Sequence, residues 1–150
     1  MGEIRIIEGV RVTQLKQIFH PKGDVFHGMK RSEQGYSNFG EAYFSTIVKA
    51  EIKPWKKHLK MTLNLIVPEG EVKFVIYDDR KESKTENQYF TINLSLKNYC
   101  RLTVPPGVWM AFKGIGSDTN LLLNIADLEH DPKEIERIDL DQIQYNWNIE

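Results

Sequence analysis

The chain has 150 residues, 41% of them hydrophobic and 27% charged, which suits one soluble globular domain (1–150) with a core of its own. A formal net charge of −1 leaves no global basic field, so no nucleic-acid partner is expected, and no run is long and apolar enough for a signal peptide or a membrane span, so no membrane partner and a cytoplasmic location are expected. One cysteine, Cys100, excludes an intrachain disulfide, and the lack of any Cys/His cluster argues against structural zinc.

Strand signals dominate. Val10 to Ile18 is β-branched with rough alternation, and Ala42 to Ile52 is a long β-prone run. Met61, Leu63, Leu65 and Val67 alternate along the next strand. The turn Pro68-Glu69-Gly70 then predicts a hairpin with Glu71 to Tyr77. Asp78 to Gln88 is polar and reads as an exposed loop. Tyr89 to Leu96 places Phe90, Ile92 and Leu94 on one face. Cys100 reads as a packed thiol in a strand, between a tyrosine and a nearby leucine. Val104-Pro105-Pro106-Gly107 is a rigid turn, followed by the short apolar strands Val108 to Phe112 and Leu121 to Ala126. Arg31 to Gly40 reads as a mobile loop. Asp131 as N-cap with Pro132 after it predicts one short C-terminal helix, and the acidic segment Asp127 to Asp141 reads as its solvated surface. Many short strands divided by turns mean an all-β barrel or sandwich.

The densest chemistry lies in Ile52 to Met61, IKPWKKHLKM, with four lysines, a histidine and a tryptophan in ten positions. Side chains two apart on a strand face the same way, so Lys56, His58 and Lys60 share one face. If that face lines a barrel, it forms a cationic pocket. Two ammonium groups flanking the imidazole would lower its pKa and leave neutral His58 able to act as a base. The same lysines could hold a pyrophosphate or stabilise an enolate; on a barrel exterior they would form a solvated strand end. One imidazole among lysines is a poor divalent-cation site, so no metal is expected. No glycine-rich nucleotide loop and no GxSxG elbow is present.

PEGEVKFVIYDDRKES, then YFTINLSLKNYCRLTVPPGVWMAFKGI, resembles the dTDP-4-dehydrorhamnose 3,5-epimerase family of the cupin superfamily, over residues 41–147. His20-Pro21-Lys22-Gly23-Asp24-Val25-Phe26 is similar to the family's Asp-x-Arg-Gly-x-Phe. The resemblance implies a double-stranded β-helix, or jelly-roll, barrel without metal or other cofactor. It implies a homodimer that exchanges N-terminal strands, and a nucleotide-linked sugar, most naturally a dTDP-sugar, as ligand. Its chemistry is removal of acidic protons beside a C4 ketone and their return on the opposite face. The family's base is the histidine of Arg-Gly-Leu-His; here Lys56 takes that position, with Lys53 at the arginine and His58 two residues on. Its tyrosine acid falls on Leu123, its His-Gly-Phe histidine on Met110, and its phosphate-contacting arginine on Lys22. The carboxylate that orients the family's histidine lies in a C-terminal extension.

The barrel thus carries over while the catalytic set has changed. The expected rebuilt set is His58, Lys56 and Tyr77, the phenol of Tyr77 being able to protonate an enolate. Ligand contacts are expected from Lys22, Lys53, Lys60, Trp55 and Arg101. Trp55, like Trp109, could stack on a base or sugar or belong to the core. The leading expectation is a metal-independent epimerase or isomerase of a 4-keto-deoxysugar nucleotide. The alternatives are a sugar-nucleotide-binding cupin that has lost catalysis and a protein that uses its barrel surface for interaction.

Overall fold

The alternating stretches do form strands, and their pairing creates two facing sheets. A computed structural model describes residues 6–149. In chain order the strands are β1 (Arg11–Gln14), β2 (Gln17–Ile18), β3 (Val25–Phe26), β4 (Glu41–Ile47), β5 (Ile52–His58), β6 (Leu63–Glu69), β7 (Glu71–Tyr77), β8 (Tyr89–Ser95), β9 (Cys100–Val104), β10 (Trp109–Gly114), β11 (Asn120–Ala126) and β12 (Ile135–Arg137). One five-stranded sheet has the order β1-β9-β6-β11-β4, the other β12-β5-β10-β7-β8, and β2-β3 is a small separate ribbon. Pairing between named strands is antiparallel throughout. This is the expected all-β, cupin-type jelly roll.

The core lies between the sheets, where Leu63, Leu65, Phe74, Ile76, Phe90, Leu94, Leu102 and Leu122 interdigitate. Period-two alternation then puts the opposite residues outside. On the second sheet, Trp55, Val75, Trp109 and Ala111 form a separate layer covered by Ile143 and the C-terminal segment. On the first sheet, Leu15, Ile66 and Tyr99 form a third cluster.

Three local expectations change. The runs Val10 to Ile18 and Ala42 to Ile52 are each two strands, the first split between a five-stranded sheet and the β2-β3 ribbon, the second broken where Ala50 takes φ 70°. Strands β6 and β7 are not a hairpin, because they belong to different sheets. Gly70, at φ 80°, turns the chain from one sheet to the other, and a Cβ there would collide with Asn120 and the Thr119 carbonyl. Asn120 Oδ1 accepts the Glu71 N–H at 2.9 Å, so the backbone donor at this corner is satisfied by a side chain. Third, the C-terminal helix is a single 3-10 turn, Pro132–Glu134. Asp131 does cap it, accepting the Lys133 N–H at 3.0 Å, but Ile135–Arg137 extends at once to pair with β5.

The loop from 78 to 88 is also less exposed than its composition suggests. Asp78 is fully buried and accepts from the Arg80 backbone N–H, Arg80 Nε and Nη2, Ser83 Oγ and Thr85 Oγ1, at 2.7 to 3.0 Å. Burial works against its charge, but these donors hold its pKa well below the usual carboxylate range. The Asp-x-Arg motif at 78–80 thus organises the loop. Cys100 is buried in β9, and burial pushes its thiol pKa up.

Candidate active site

The cavity between the sheets has a volume of about 350 Å³. Its β5 wall depends on an irregularity in the pairing of β5 with β10. Met110 lies opposite Lys56 but Phe112 lies opposite Lys53, so Pro54 and Trp55 together face Ala111. This bulge shifts the alternation by one residue. Lys53, Lys56 and His58 consequently all line the cavity, although Lys53 has the wrong parity for a regular strand. Pro54 fits because a bulge leaves a backbone position out of the ladder.

His58 is the chemically distinctive group. It is 7% exposed, and its Nδ1 lies 2.6 Å from Glu134 Oε1. The other Glu134 oxygen accepts the backbone N–H groups of Leu59, Lys60 and Met61 at 3.1, 3.1 and 3.3 Å. Burial disfavours charge on Glu134, but the hydrogen bonds from His58 and from the backbone of Lys60 and Met61 prevail and lower its pKa. Burial also lowers the pKa of His58, against the opposing pull of Glu134. The consistent state is a neutral imidazole whose Nδ1–H donates to a carboxylate, leaving the Nε2 lone pair free.

Around this dyad lies uncompensated positive charge. Arg137 on β12 stands opposite Lys56 on β5 and also lines the cavity. Lys53 Nζ donates to the Thr46 carbonyl at 2.9 Å. Among the described residues none of these three cations forms an ion pair. Burial, then Arg137 and Lys53, push the Lys56 pKa down. Like charges facing each other across a ladder cost stability, so the arrangement suits a ligand that brings negative charge. Leu63, Leu65, Leu122, Met110 and Phe112 supply an apolar floor, and Tyr43, Ser45 and Asn124 a polar wall. Among the described residues no three or more His, Cys, Asp or Glu side chains converge as a metal site.

The structure therefore gathers Lys53, Lys56 and His58 from the expected set. Trp55 borders the cavity, but it is 1% exposed and packs in the outer layer, its indole N–H donating to the Leu140 carbonyl at 3.2 Å. Four residues stand elsewhere. Lys60 lies beyond the end of β5, exposed, because the strand stops at His58. Tyr77 shares the outward parity of Val75; its hydroxyl donates to Asn87 Oδ1 at 3.1 Å and its ring packs on Tyr89 at 4.7 Å. Lys22 sits in the exposed β2–β3 turn, away from the cavity lining. Arg101 is buried on the outside of the first sheet, where Nη1 donates to the Gly28 carbonyl at 2.7 Å. Leu123 likewise faces outward, and the inward positions of β11 are Leu122 and Asn124. Glu134, Arg137, Tyr43 and Asn124 were missed in the sequence. The only signal was the capped turn at 131–134, which located Glu134 without giving its direction.

Comparison with known proteins agrees with this architecture. A sequence model described as dTDP-4-dehydrorhamnose 3,5-epimerase matches residues 55–150. The "Probable low-salt glycan biosynthesis epimerase Agl13" of Haloferax volcanii is 34% identical over 116 residues, 73% of each chain. The spore coat polysaccharide biosynthesis protein SpsL of Bacillus subtilis is 26% identical over 149 residues, 97% of this chain and 99% of SpsL. A crystal structure of a dTDP sugar isomerase from Desulfovibrio desulfuricans G20 superposes with TM-score 0.92 at 34% identity, covering 96% of this chain and 94% of that one. With the match spanning well over half of the chain and the jelly roll in place, this protein belongs to the dTDP-4-dehydrorhamnose 3,5-epimerase family.

Proposed function

We propose that the protein is a metal-independent epimerase acting beside the C4 ketone of a nucleotide-linked 4-keto-deoxysugar, in deoxysugar or polysaccharide biosynthesis. The observation that carries this reading is the buried His58–Glu134 dyad facing a cationic cavity. Proton removal next to a ketone needs a neutral base and a positive field where the enolate oxygen develops. His58 Nε2 is that base, with Glu134 fixing its tautomer as the Nδ1–H form. Lys56 and Arg137 stabilise the oxyanion, and Lys53 adds charge that favours the diphosphate. The carboxylate that the family supplies from a C-terminal extension comes here from Glu134, and His58 takes over the work of the histidine that Lys56 replaced.

The test is proton NMR of dTDP-4-keto-6-deoxyglucose with the protein in D2O. Loss of the C3-H or C5-H signal only when protein is present is the expected outcome, and His58→Asn should abolish it. Persistence of both signals with dTDP binding retained would overturn the catalytic reading in favour of a binding module.

A further inference from the structure

We infer that Tyr43 is the proton donor of this reaction and that Asn124 positions it; this rests on proton abstraction by His58 as proposed above. Tyr43 and Asn124 are register partners on β4 and β11, and both line the cavity. They belong to the sheet opposite the one that carries His58 and Lys56. A sugar ring held between the sheets presents one face to β5 and the other to β4.

The hydrogen bonds fix which way the proton of Tyr43 can go. Asn124 is 1% exposed, and its Oδ1 accepts the backbone N–H of Asn64 at 3.1 Å. A backbone donor demands an oxygen, so the amide cannot be turned around. Its NH2 must then face Tyr43, and Nδ2 donates to the phenol oxygen at 3.0 Å. The hydroxyl of Tyr43 accepts there, and among the described residues no group takes its proton. That proton is free to be given to a ligand. Once it leaves, the Asn124 N–H already points at the phenolate oxygen and stabilises it without rearrangement. The other hydroxyl on the cavity lining is Ser45, and a phenol yields its proton far more readily than an aliphatic alcohol. Tyr77, the phenol expected from the sequence, lies on the outside of the sheet and cannot reach the cavity.

The bond changes balance. The C–H bond beside the ketone breaks as His58 Nε2 takes the proton, and the electron pair moves to the C4 oxygen as an enolate. The pair then returns to carbon, which takes the proton of Tyr43 on the opposite face. Solvent restores Tyr43 and removes the proton from His58.

Tyr43→Phe, followed in D2O with dTDP-4-keto-6-deoxyglucose, tests this directly. The inverted product should fall about 10²–10⁴-fold, in kcat with KM little changed. Exchange dependent on His58 should persist, returning substrate deuterated with its original configuration. Inverted product at the wild-type rate would overturn the proposal. So would loss of exchange and inversion together in a variant that still binds dTDP, because Tyr43 would then act before proton donation. Absence of exchange in the wild-type protein would remove the underlying reading and this one with it, whereas a result confined to Tyr43→Phe bears on this proposal alone.

Discussion

Glu134 does two jobs at once, and this makes its substitution by glutamine informative. One carboxylate oxygen is held by three backbone N–H groups and the other by His58. In Glu134→Gln the backbone donors keep the remaining oxygen, so the new NH2 faces His58 Nδ1. The imidazole must accept there and carry its proton on Nε2, where it is no longer a base. Turnover should fall by about 10²-fold or more with the fold intact, as when a triad carboxylate becomes an amide. The pH profile separates this from a packing defect. His58 is the active base when neutral, and burial lowers its pKa, so wild-type activity should survive to a pH below the ordinary histidine value of about 6.5. Removing the Glu134 charge takes away the pull that raises the pKa, so the acid limb of the variant should move to still lower pH. A limb that stays put, or moves up, would argue that Glu134 does not set the state of His58. His58 and Lys56 were legible in the sequence because the two-residue period put them on one face. Glu134 was not, since its partner lies 76 residues away and only the folded chain brings them together.

At the scale of elements, alternation located most of the strands but not their partners; it joined β1 to β2 and β4 to the start of β5, and it left β3 and β12 unread. The same pattern of Leu63, Leu65 and Val67 answering Val72, Phe74 and Ile76 serves a hairpin or a corner between sheets; it is a corner here because β6 pairs with β9 and β11 while β7 pairs with β10 and β8. The bulge at Pro54-Trp55 was equally hidden, and it is what brings Lys53 to the cavity. The loop from 78 to 88 shows composition misleading in another way: its polar residues serve one buried carboxylate. Asp78→Asn keeps the shape but leaves the donors of Arg80, Ser83 and Thr85 without enough acceptors. Breaking a fully buried ion pair costs about 3–5 kcal/mol, and Arg80 is 28% exposed, so a loss of about 2–3 kcal/mol is expected. Urea unfolding measures it; an unchanged midpoint would show that the network is not what holds the loop.

At the scale of the whole molecule, the described residues leave apolar surface exposed. Phe19 is 73% exposed and Val25 53%, both on or beside the β2–β3 ribbon. Phe44, 64% exposed, stands opposite Leu123 in the β4–β11 ladder, on β4, which is an edge strand among the described residues. A free edge strand next to large apolar side chains is a surface that proteins usually cover. We propose that a second copy covers it, in a homodimer to which each protomer contributes its N-terminal ribbon. This would also give Lys22, distant from the cavity of its own chain, a place to act on the partner's ligand. Sedimentation should then give twice the 17.5 kDa chain mass at micromolar concentration. Phe19→Asp with Phe44→Asp should shift the protein to monomer while leaving its circular dichroism unchanged, because neither side chain is part of the core. Wild-type protein that stays monomeric would refute the assembly, and Lys22 would then have no route to a ligand.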